Sequence, residues 1–91
     1  MRALEVSVNG EKLCVAGIGD DGVLTTIVHW AARQDEEGFF LQVGGLISQT
    51  KEHANWINQK PLRVGDNIRV KIIETDLADK PVEQYRLDPT S

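Results

Sequence analysis

Residues 22–38 read GVLTTIVHWAARQDEEG, and the fold turns on whether their first half is a strand or a helix. Leu24, Ile27, Val28 and Ala31 fall at i, i+3, i+4 and i+7, the spacing of a helix face. Yet Val23, Thr25, Thr26, Ile27 and Val28 make five of six consecutive residues β-branched. Such side chains lose χ1 freedom against the preceding turn of a helix and pack well on a pleated surface. The composition predicts a strand, with a helix over 23–34 as the alternative. Gln34 to Gly38 is expected to be an acidic loop, with a return strand from Phe39 to Leu46.

Upstream, Leu4, Val6 and Val8 alternate with Glu5 and Ser7, the period of a strand with one wet face. Asn9-Gly10 follows, and a two-residue type I′ hairpin turn needs positive φ at both central positions. Lys12 to Ile18 is the expected return strand, with Leu13 and Val15 on one face and Cys14, Ala16 and Ile18 on the other. Both faces are apolar. Next comes GIGDDG, residues 17–22, a letter-for-letter match to the dinucleotide fingerprint. A working fingerprint needs a helix after its glycines, so that pyrophosphate meets free N–H groups. Here β-branched residues follow, and Asp20 and Asp21 stand where the pyrophosphate would approach. The stretch reads as a hairpin turn with Asp21-Gly22 at its tip.

Downstream, residues 50–58 are ambiguous: Thr50 suits a helix cap, while Thr50, Glu52, Ala54 and Trp56 alternate as in a strand. After them, Ile68, Val70 and Ile72 alternate with Arg69 and Lys71 behind a Gly65-Asp66 turn. The pattern Leu62-x-Val64-Gly65-Asp66-x-Ile68-x-Val70 resembles hairpins of many barrels and sandwiches, including the barrel domains of translation GTPases. It covers about a tenth of the chain, and the resemblance implies a turn rather than a function. A weak strand is expected around Val82 to Leu87. The whole predicts one domain over residues 1–88: an antiparallel β-sandwich of six to seven strands, with 89–91 frayed. A helix at 23–34, at 50–58 or at both would make it α+β.

The net charge is −4 over 91 residues, which argues against general nucleic-acid binding, since affinity for phosphate backbones comes from clustered Lys and Arg. It gives no support for docking on an anionic membrane either. No apolar run approaches the ~20 residues of a membrane span, and MRALEVSVNGEK lacks a signal-type apolar core. Cys14 is the single cysteine, so no intramolecular disulfide forms and a cytoplasmic setting is expected.

Catalytic and cofactor chemistry finds little to build on. Cys14, His29 and His53 are the available soft or imidazole ligands, one short of a closed zinc site. No nucleophile-and-base motif can be assembled, so no enzyme activity, cofactor or metal is expected. Trp30 is expected in the core, and Trp56 is left open. An exposed Trp56, with His53 and Asn55 beside it, would make a carbohydrate-type surface. Residues 51–71 carry five basic side chains against two acids, which puts Arg63, Arg69 and Lys71 on a secondary surface.

The two-faced apolar strands carry the main functional expectation. One layer of a sandwich covers one face only, and a bare second face would be an unusually large apolar patch. The expectation is a non-catalytic interaction module that forms a homodimer or docks on a partner protein. Cys14, Ala16, Ile18 and His29 are the candidate association face.

Overall fold

A computed structural model of the chain describes residues 1–34 and 36–86, the side chain of Glu36 excepted. It is all-β, with no helix among the described residues. Seven strands run β1 (Arg2–Val8), β2 (Glu11–Ala16), β3 (Gly22–Arg33), β4 (Glu36–Ile47), β5 (Glu52–Leu62), β6 (Ile68–Glu74) and β7 (Glu83–Arg86). They form two antiparallel sheets, ordered β2-β1-β6 and β3-β4-β5-β7, packed together as a small sandwich. The expected fraying of 89–91 lies outside the described residues.

The ambiguous segment is a strand. β3 pairs with β4 in unbroken register from Gly22 opposite Ile47 to Arg33 opposite Glu36. β4 therefore begins at Glu36, and the expected acidic loop shortens because Glu36–Gly38 are drawn into the ladder. The second ambiguous segment is also extended: from Glu52 onward it forms β5, with Ala54 and Trp56 turned into the core.

The Asn9-Gly10 turn is as the sequence predicts, with φ of +54° and +83°. In the hairpin it closes, Val6 stands opposite Cys14 but Ser7 opposite Lys12, so Leu13 is a bulge. The two other turns join different partners than expected. GIGDDG links β2 of one sheet to β3 of the other, and Gly65-Asp66 links β5 to β6 in the same way. Both are crossovers between layers, not hairpin tips. Turn chemistry sets a change of direction; which strands then pair depends on distant contacts.

The core is where the sheets meet: Val6 and Val8 from β1, Cys14 and Ala16 from β2, Leu41 and Val43 from β4, Ala54, Trp56 and Leu62 from β5. Two polar devices close the ends of the sandwich, one holding the β1–β2 turn to the β5–β6 crossover and the other strapping the two sheets. At one end, Asn9 and Asn67 exchange bonds, Asn9 N–H to the Asn67 carbonyl and Asn67 N–H to Asn9 Oδ1, both 2.9 Å. Asn9 Nδ2 also donates to Asp66 Oδ1 at 3.0 Å, and Arg63 N–H donates to Asp66 Oδ2 at 2.8 Å. At the other, residues 75–82 strap the sheets. Asp79 N–H donates to the Val15 carbonyl, Val15 N–H to Asp79 Oδ2, and Val82 N–H to the Asn55 carbonyl, all at 2.8–2.9 Å.

Candidate functional site

Opposed residues of antiparallel strands share a face. Leu41 and Val43, both fully buried, therefore place Val28 and Thr26 on the inner face of the four-stranded sheet. Leu24 and Trp30 share that face. Val23, Thr25, Ile27, His29 and Ala31 lie on the outer one. The outer face is bare along β3. The inner face extends beyond what the shorter three-stranded sheet covers.

The exposures follow: Val23 54%, Ile27 45%, Val28 51% and Trp30 61%. Trp30, expected in the core, is thus a surface residue, stacked on Phe39 with centroids 6.2 Å apart and its N–H 3.2 Å from Glu37 Oε2. Trp56 takes the core position instead, 6% exposed. Periodicity could not separate them, because both lie on inner faces and only the length of the opposing sheet decides which is covered.

β3 is also an edge strand, and among the described residues its edge is the least protected. An edge presents unpaired N–H and C=O groups that template another strand, and soluble proteins blunt it with charge, proline, bulges, shortness or a covering loop. The β2 edge is capped by Asp79 through the two bonds to Val15. β6 alternates Arg69 and Lys71 with its apolar residues, and β7 has four residues, Glu83 and Arg86 among them. β3 has twelve residues, no bulge against β4, no proline, and no Lys, Arg, Asp or Glu before Arg33.

The residues expected to form one association face are not brought together. Cys14 and Ala16 are buried in the core, Ile18 packs against it, and His29 lies on the opposite sheet, edge-on to Phe40 at 5.7 Å. The error is one of facing: the β2 face read as surplus is the core face. Burial, with the Asp79 carboxylate nearby, pushes the Cys14 thiol up to about 11.

The expected binding surface is likewise divided. His53 and Asn55 share the outer face of the four-stranded sheet, whereas Trp56 points the other way. Arg63 sits in the β5–β6 crossover. Arg69 and Lys71 stand opposite Ser7 and Glu5 on the three-stranded sheet, so an acid interrupts the basic surface. His53 and Asn55 rim a hollow of about 320 Å³ over Gly44, together with Val23, Thr25, Gln42 and Leu46. Tyr85, which the sequence reading did not single out, stacks on His53 at 5.4 Å. Its place on β7 beside β5 is a long-range pairing that no local pattern signals.

Among the described residues, no group of three His, Cys, Asp or Glu side chains comes together as a metal site would require. Nor, among the described residues, is any helix long and apolar enough to cross a membrane. Comparison of the chain with protein-family models, with curated proteins and with solved structures finds no match.

Proposed function

We propose that the protein is a small, non-catalytic interaction module that self-associates or docks on a partner protein along β3. One observation carries the reading. β3 is long, uncharged to Arg33 and, among the described residues, unpaired on one side, with exposed apolar residues on both faces. Such an edge accepts a further strand through main-chain bonds while its side chains supply apolar contact. The buried, proton-holding Cys14 thiol is a poor nucleophile, which favours a non-catalytic role, and a single cysteine suits a cytoplasmic setting. The carbohydrate-type reading loses its platform, because the Trp56 indole lies in the core; a sugar panel titrated against His53 and Asn55 resonances checks the hollow that remains.

Sedimentation equilibrium over a concentration series, on the parent chain and on Val28→Lys, tests the module. A charge at this exposed position leaves the fold intact, with a stability change within about 0.5 kcal/mol, but blocks strand addition. Association that Val28→Lys abolishes supports the reading. A chain that stays monomeric, and retains no protein from a cell extract that Val28→Lys releases, overturns it.

A further inference from the structure

The in-plane direction of each β3 residue follows from one bond. Ser48 N–H donates to the Asp21 carbonyl at 3.3 Å, just beyond the Gly22–Ile47 pair. Main-chain groups alternate sides along a strand, and the β3–β4 register is unbroken. Odd-numbered residues therefore bond to β4. Gly22, Leu24, Thr26, Val28, Trp30 and Ala32 aim their N–H and C=O groups at the free edge.

An antiparallel neighbour must match even residues to even. A second copy of the same strand does so about a twofold axis, and a single number, the central residue, then defines the register. Centred on Ile27, the strand is paired along its whole length, with Gly22 of one copy opposite Ala32 of the other. The next pair outward sets Arg33 of each copy beside Asp21 of the other. A centre at Thr26 or Val28 would instead put Arg33 opposite Gly19 or Val23. Only the Ile27 register joins opposite charges at both ends.

The geometry points to a homodimer in which the four-stranded sheets join edge to edge, β3 against β3 antiparallel, with the twofold axis at Ile27. This rests on the reading of β3 as the interaction edge and names its occupant. On the inner face Leu24 meets Trp30 and Thr26 meets Val28. On the outer face the two Ile27 side chains meet, flanked by Thr25 with His29 and Val23 with Ala31. Ile27 is a non-hydrogen-bonded pair, the type in which opposed side chains approach most closely.

The test uses Cys14→Ala/Ile27→Cys in the full chain, oxidised with glutathione disulfide. In a non-hydrogen-bonded pair the Cα atoms are ~4.5 Å apart, within disulfide reach. A covalent dimer is expected. Thr25→Cys and His29→Cys, each in the Cys14→Ala background, should cross-link when mixed and not alone. Should Cys14→Ala fail to fold, the parent background serves, since Cys14 is buried. Arg33→Asp should weaken the dimer about tenfold, and adding Asp21→Arg should restore it.

A dimer of native mass that does not cross-link at position 27, or cross-links equally at all three positions, overturns the register while leaving self-association standing. A chain monomeric at every concentration overturns the pairing altogether. Whether β3 then serves a different protein is decided separately by the Val28→Lys comparison.

Discussion

The indole N–H of Trp56 donates to the main-chain carbonyl of Asp79 at 2.7 Å, so a core side chain on β5 holds the strap that crosses from one sheet to the other. The same Asp79 caps the β2 edge through Val15. Trp56→Phe keeps most of the apolar volume but leaves that carbonyl without its donor, a cost of about 1–3 kcal/mol. Trp56→Ala adds a cavity and should cost about 3–5 kcal/mol. Urea midpoints followed by circular dichroism check both. Equal losses for Phe and Ala would mean that the bond, not the packing, dominates.

Asp66 closes the other end, and its carboxyl is held below the usual carboxylate range first by the Asn9 amide and then by the Arg63 N–H. The ionised form is thus favoured in the folded chain. Its contribution to stability is present above the ordinary carboxylate value and is lost as pH falls through the lowered one. Asp66→Asn should therefore flatten the stability–pH curve below about pH 4. Unfolding midpoints of parent and variant that run parallel through this interval would refute the assignment.

Gly44 leaves the room that Asn55 occupies. A Cβ there would stand 2.6 Å from Asn55 Oδ1 and 3.0 Å from the Ala54 carbonyl oxygen. The Asn55 side chain can swing away, but the Ala54 backbone is held in the ladder. Gly44→Ala should cost about 1–3 kcal/mol, and adding Asn55→Ala should recover only part of it. Full recovery in the double variant would show that the backbone contact is harmless.

Cys14 should resist thiol reagents at neutral pH while the chain is folded and react readily once it is unfolded. Because burial raises its thiol from 9.0 to about 11, the folded chain keeps a proton that the unfolded chain releases. Stability is accordingly full below the unfolded value and falls as pH rises from 9.0 to about 11. Denaturation midpoints of the parent and of Cys14→Ser across this range measure the difference.

Much of the local structure was legible because it rests on nearest neighbours. The β-branched run Val23–Val28 makes a strand through χ1 restriction, and Asn9-Gly10 makes a hairpin turn through its tolerance of positive φ. Alternation in Leu4–Val8 marked a core face, with Val6 and Val8 both buried. Those signals sufficed for an all-β sandwich.

The surface that matters was decided by tertiary structure. GIGDDG and Gly65-Asp66 carry the same turn chemistry as a hairpin, yet both link sheets, because strand pairing is settled by contacts far away in the chain. Trp30 and Trp56 both face inward along their strands; the reach of the opposing sheet buries one and exposes the other. Asp79 looks like one more tail acid until the strap lays it against Val15. That β3 is an edge depends on strand order, a property of the whole sheet. The sequence by itself determined the all-β class, the strand at Val23–Val28 and the Asn9-Gly10 turn, while residues 50–58 stayed open between strand and helix. The tertiary structure alone decided which apolar face is covered and which long strand edge is left unpaired among the described residues.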